Sequence, residues 1–230
     1  RSTLFPYTTL FRSLFITQNR VCAAPVKVCR ERLPARDVRG VVICSGNANA
    51  CTGQRGLSDA RRMTAVAAEA LACREEQMLV CSTGVIGRHL PMSVIEPGIC
   101  QGVKELAVGR ASLDRAAHAI LTTDTRIKVS SRQFAASGTT CRVLGFAKGA
   151  AMIGPNLATM LGFVLSDAPV APEALAKVAS AATVPTFNCV SVEGHTSTND
   201  TVLFLANGAA TSLVGQPLAD FTREIGRAHV

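Results

Sequence analysis

Tryptophan is absent from this 230-residue sequence, tyrosine occurs once, as Tyr7, and aromatics make up only 4% of the chain. So few rings leave little on which to stack bases. The formal charge is +8, yet Arg30, Arg55, Arg61, Arg74, Arg110 and Arg142 are scattered rather than clustered. They read as a solvated face, and no nucleic-acid partner is expected. No run reaches the roughly 18 continuous apolar residues of a membrane helix, so no membrane partner is expected either. The nine cysteines are odd in number and include no Cys-x-x-Cys pair. That argues against a disulfide framework or metal site and for free thiols in a reducing cytoplasm. Cys44, Cys81 and Cys189 lie in apolar runs, where cysteine acts as a small buried hydrophobe.

An apolar content of 48% is enough for a core. Strand patterns are read at Val26–Val28, Val38–Cys44, Gln77–Cys81, Arg126–Phe134, Cys141–Phe146, Thr159–Ser166, Thr186–Val192 and Val202–Leu205. Ser58 is the expected N-cap of a helix to Cys73, with Met63, Val66, Ala67, Ala70 and Leu71 as its apolar stripe. Asn47 and Asn49 are expected to bond backbone in a tight loop. A helical pattern at Pro91–Ala107 is broken near Pro97-Gly98, and Ser112 caps another to Leu121. His118 on that helix reads as an ordinary histidine, not a base. Glu173–Ala182 follows Pro172 as a helix, and Ser137-Gly138 reads as a hairpin turn. This alternation predicts an α/β or α+β fold, and the hairpin a mixed sheet.

The chemistry concentrates between Gly145 and Asp167. A glycine-rich loop carrying Lys148 runs through Pro155-Asn156 into Ala158-Thr159 and an apolar strand. Thr159 has two readings: β-branched strand filler, or a nucleophile. A threonine hydroxyl becomes a useful nucleophile when threonine starts a chain and its own α-amine serves as base. That requires scission of the Ala158–Thr159 bond.

The stretch Lys-Gly-Ala-Ala-Met-Ile-Gly-Pro-Asn-Leu-Ala-Thr-Met-Leu-Gly-Phe closely resembles the self-cleavage motif of the ornithine acetyltransferase (ArgJ) family. Further blocks agree in order: Cys-Ala-Ala-Pro-Val (22–26), Ser-Gly-Asn-Ala-Asn-Ala-Cys-Thr-Gly (45–53), Cys-Ser-Thr-Gly-Val-Ile-Gly (81–87), Leu-Thr-Thr-Asp-Thr (121–125) and Thr-Ser-Thr-Asn-Asp-Thr (196–201). The resemblance covers residues 14–223. Residues 3–13 and 225–230 back-translate to common sequencing adapters, so 1–13 and 224–230 are set aside as artefact. The family's chains are longer at both ends, and its first strands and later substrate residues are expected to be missing here. Lost strands would leave unpaired edges.

The resemblance implies mixed sheets sandwiched by helices, as in the ArgJ/DmpA-like fold. It divides the chain into an α-chain part, 14–158, and the start of a β chain, 159–223. It implies self-cleavage after Ala158 and acetyl transfer from N-acetylornithine to glutamate, in arginine biosynthesis, through an acetyl-Thr159. Thr83 and Gly84 match the family's oxyanion-hole pair, and Lys148 and Thr122 match substrate contacts. The spacing to Lys148 favours Thr122 over Thr123. Ser197, Thr198, Asn199 and Asp200 are expected to shape a loop near the site without taking part in catalysis. No cofactor or metal is implied; acetyl-CoA is left open as a co-substrate. The α and β chains are expected to associate, as a heterotetramer in the complete enzyme. Competing readings are a self-processing amidohydrolase or aminopeptidase with an N-terminal threonine, and an inactive fragment.

Overall fold

The computed structural model describes residues 10–17, 19–136, 139–150, 160–190 and 196–210. A six-stranded mixed sheet forms the centre. Its strands are β1 (Leu10–Ile16), β2 (Ala35–Val38), β5 (Lys128–Ala136), β6 (Thr139–Lys148), β7 (Leu161–Ser166) and β8 (Thr201–Ala206), in the order β2-β1-β8-β7-β6-β5. The remaining strands, β3 (Gly40–Asn47) and β4 (Met78–Val85), form a parallel pair. Only β7 and β8 are parallel neighbours in the large sheet. The predicted mixed α/β architecture is what the chain adopts.

Side chains alternate across a strand, so β7 and β8 bury both faces of the sheet. Val164, Val202, Phe204 and Ala206 pack under α5 (Pro172–Thr183) with Leu175, Val178 and Ala182. Leu161, Phe163 and Leu203 face the other way and meet Leu79, Val80 and Cys81 of β4. Phe146 of β6 joins that second core and stacks on Phe163 at 4.9 Å between ring centroids. Over β4 lie α1 (Ala24–Arg32) and α2 (Gly53–Ala70), and α3 (Met92–Lys104) packs on α2. A short α4 (Arg110–Ala119) leads into the turn at residues 121–127.

Several local expectations are corrected by tertiary contacts. Val26–Val28 is helical: Pro25 suits a first helical turn, and Val28 and Cys29 bury against β4. α2 starts at Gly53 rather than after Ser58, which is exposed inside the helix. Its start is held by a buried cluster in which Thr52 Oγ1 donates to Asn49 Oδ1 and Asn49 Nδ2 donates to the Gly56 carbonyl. Asn47 Oδ1 accepts from the Asn49 N–H, the loop role expected for both asparagines. Ala70 is exposed on this helix, whereas Met63, Val66 and Ala67 are buried.

α3 runs unbroken through Pro97 because Met92, Ile95 and Ile99 anchor it to the core on both sides of the lost hydrogen bond. α4 begins after Gly109, whose φ of 118° suits glycine, and not at Ser112. The stretch after α5 is a 3-10 turn at Phe187–Cys189, seating Phe187 in the core, rather than a strand from Thr186; residues 191–195 lie outside the described set. Cys189 is exposed.

β1 takes in Leu10–Ser13, which fall in the stretch set aside as adapter-derived, and pairs with β2 and β8. β5 and β6 form the expected antiparallel hairpin; its turn, Ser137-Gly138, lies outside the described residues. All nine cysteines are free thiols, and the six scattered arginines are exposed. No helix among the described residues is long and apolar enough to cross a membrane.

The Asn49–Thr52–Gly56 cluster leaves no room for a side chain at Gly56, where a Cβ would stand 1.8 Å from Thr52 Oγ1. Gly56→Ala is expected to lower stability by about 1–3 kcal/mol. A urea midpoint equal to the parent's would show that the cluster yields without cost.

Candidate active site

The site is built where the two sheets meet. Lys148 is the last residue of β6, on the same face as Phe146, and so points toward β4. Its side chain is buried, with the residue 2% exposed. The ammonium donates to Thr83 Oγ1 on β4 at 3.0 Å and to Thr122 Oγ1 at 2.6 Å. An ammonium only donates, so both hydroxyls accept from it and keep their own protons for another acceptor. One ammonium N–H remains beyond these two bonds. Thr83 is buried, while Gly84 and Thr122 are exposed, so the cluster opens to the surface on that side.

The sequence folds this way because several anchors converge. Thr83 pairs with Ser45 in the β3–β4 register. Ser45 Oγ reaches the carbonyls of Ile120 and Leu121 at 3.2 and 3.0 Å, which seats the turn carrying Thr122 beside Thr83. Gly84 has φ 129°, and a Cβ there would stand 2.2 Å from the carbonyl carbon of Gly46. The close approach of β3 and β4 therefore requires glycine at that position. Asn199 Nδ2 donates to the carbonyls of Ala48 and Ser82 at 2.6 and 2.9 Å, stitching the segment before β8 to the ends of β3 and β4. Asp200 is fully buried, and its Oδ1 accepts the Met160 N–H at 2.7 Å.

Of the residues expected at the site, the fold brings together Thr83, Gly84, Thr122 and Lys148. Ala158 and Thr159 lie outside the described residues; the next residue, Met160, is fixed by Asp200 and, through its carbonyl, by the Thr201 N–H. Ser197–Asp200 forms a loop before β8, as expected, and its side chains are buried. His118 is exposed on α4. Among the described residues, no group of three or more His, Cys, Asp or Glu could hold a metal.

Asp124 had no expected role. Its side chain is fully buried, and Oδ1 accepts from Lys128 Nζ at 2.5 Å and from the Gly149 N–H at 2.7 Å. The one sequence signal is its place, two residues after Thr122 in a polar turn. Burial pushes the Lys148 pKa below the ordinary lysine value; the charges of Asp124 and Asp200 oppose this, and that of Lys128 adds to it. For Asp124, burial favours the neutral acid, but the Lys128 bond, the Gly149 N–H and the charges of Lys128 and Lys148 outweigh it and hold the pKa below the usual value.

A family model described as the ArgJ family matches residues 8–229. The chain belongs to the ArgJ family. It is 50% identical over 194 residues to the arginine biosynthesis bifunctional protein ArgJ of Geobacter sulfurreducens, a match covering 84% of this chain and 49% of that protein. The ArgJ-family chain thus spans about half the length of the curated relatives it matches. Among solved structures it is similar to the ornithine acetyltransferase of Mycobacterium tuberculosis complexed with ornithine, with TM-score 0.57 and 34% identity over 67% of this chain and 80% of that one. The ArgJ protein of Bacillus halodurans superposes with TM-score 0.55 and 42% identity over 62% of this chain and 74% of that one.

A carboxylate with a depressed native pKa stabilises the fold above its unfolded pKa, and this stabilisation is lost as pH falls through the native value. The urea midpoint is therefore expected to fall as pH drops below about 4, with a shallower fall in Asp124→Asn. Identical acid limbs in the two proteins would remove Asp124 from the acid response.

Proposed function

We propose that this chain carries the catalytic half of an acetyltransferase that moves an acetyl group from N-acetylornithine to glutamate, through an acetyl ester on Thr159. The observation that carries this reading is the buried Lys148 ammonium held between the hydroxyls of Thr83 and Thr122. A buried cation with an N–H to spare suits the carboxylate of an amino-acid substrate. Family membership supplies the reaction class.

In this scheme the Ala158–Thr159 bond is first cut with net addition of water, leaving a carboxylate on Ala158 and freeing the Thr159 α-amine. That amine takes the Thr159 hydroxyl proton as the oxygen attacks the acetyl carbonyl of N-acetylornithine. The Thr83 O–H and the Gly84 N–H donate to the developing oxyanion. The carbon–nitrogen bond breaks, ornithine leaves with the transferred proton, and the acetyl group stays on the Thr159 oxygen. The amine of glutamate then attacks the ester, the Thr159 oxygen recovers a proton, and N-acetylglutamate departs. No cofactor enters these steps; acetyl-CoA is the second acetyl donor to offer in the same assay.

The sheet explains how such a chain survives its own cleavage. β7 and β8 follow the cut, yet β7 is hydrogen-bonded to β6 and β8 to β1, both from before it. The two pieces would share one sheet and remain associated, the unit from which a heterotetramer would assemble.

Intact mass of the expressed chain is expected to show two products with their junction at Ala158/Thr159. Thr159→Ala should stay whole; a Thr159→Ala chain that still splits at this bond would sink the scheme. In the chain completed to the length of its relatives, Thr83→Val is expected to lower kcat for acetyl transfer by about 10²–10³-fold, as for loss of one oxyanion donor. Undiminished transfer in that variant would remove Thr83 from the oxyanion site.

A further inference from the structure

We propose that Asp124 is a positioning residue of the Lys148 site: its carboxylate ties the turn carrying Thr122 to the strand end carrying Lys148 and supplies negative charge set against the buried ammonium. The inference deepens the function above, since it matters for catalysis only if Lys148 holds the substrate.

The geometry supports it directly. Thr122 is two residues before Asp124, and Gly149 is the residue after Lys148. A single oxygen, Oδ1, reaches the Gly149 N–H at 2.7 Å, so one side chain joins the turn carrying Thr122 to the strand end carrying Lys148. Gly149, directly after β6, has φ 149°, a positive value that favours glycine. The carboxylate is fully buried, and Oδ2 has no hydrogen-bond partner among the described residues.

The Lys148 ammonium itself bonds only to neutral hydroxyls among these residues. A buried cation without opposite charge nearby gives up its proton. A neutral amine would donate fewer hydrogen bonds and would no longer attract a carboxylate. The charged groups acting on Lys148 are Asp124 from the turn, Lys128 from β5 and Asp200 from the segment before β8. Lys128 pairs with Asp124 and partly cancels it. A purely structural Asp124 would need only its acceptor oxygen; the proposed role also needs its charge.

Asp124→Asn separates the two, because the amide oxygen still accepts from Gly149 while the charge is gone. The test is an NMR titration of the Lys148 Cε resonance in the 13C-lysine-labelled chain, assigned by its loss in Lys148→Arg. In the parent the midpoint is expected below the ordinary lysine value of about 10.4. In Asp124→Asn it should move down by about one further pH unit, the effect of one close opposite charge. In Lys128→Gln it should move up, since Asp124 then acts on Lys148 unopposed. A midpoint in Asp124→Asn at or above the parent's overturns the proposal. If that variant does not fold, Asp124→Ser is titrated in its place, since it also removes the charge, and a midpoint at or above the parent's overturns the proposal. Acetyl transfer plays no part in this readout, so a failed transfer assay beside the expected shifts would count against the function and not against Asp124.

Discussion

The Lys148 ammonium is buried at the junction of two sheets, and much of the nearby structure can be understood as what that burial demands. Removing a charge from water costs several kcal/mol unless hydrogen bonds and opposite charge replace the solvent. Thr83 comes to it from the two-stranded sheet and Thr122 from the turn after α4. Ser45 holds the end of α4, and the absence of a side chain at Gly84 lets β3 and β4 close up. The cation thus couples three elements that are remote in sequence.

The same junction is lined with buried polar groups. Thr17 Oγ1 donates to the Ser197 carbonyl, Asn199 spans the ends of β3 and β4, and Asp200 grips the backbone of Met160. A hydrophobic set at these positions would fill the space but would leave strand-end carbonyls and N–H groups unpaired. Satisfied networks of this kind fix one arrangement of neighbouring elements. Here they fix Met160, the residue before β7 and one beyond Thr159. In the proposed scheme that precision would serve the Thr159 hydroxyl, since catalysis depends on a reacting group being held in place.

The large sheet has a second consequence. Its two most central strands, β8 and β7, come late in the chain, and their neighbours β1 and β6 come earlier. A backbone cut between β6 and β7 therefore removes a connection without removing a strand. The apolar side chains of β7 and β8 face helix α5 on one side and β4 on the other, so the segments before and after such a cut would share common cores.

The sequence by itself determined the elements whose signals are local. The β-branched and apolar runs of β3, β4, β7 and β8, the β5–β6 hairpin and the helix after Pro172 were legible because period and punctuation suffice for them. The ordered motifs also singled out Thr83, Thr122 and Lys148, whose side chains the fold brings together. Tertiary structure decided the rest. Pro25 and a buried face made a helix of a β-branched stretch, and a polar cluster began α2 at Gly53 instead of after Ser58. Asp124, Ser45 and Asn199 gained their places through hydrogen bonds spanning 25, 75 and 117 residues of chain. Spacing along a strand or helix reports which face a side chain takes, but the partner of a buried polar atom is chosen only when distant segments close around it, because desolvation makes each such atom require whichever partner the packing delivers.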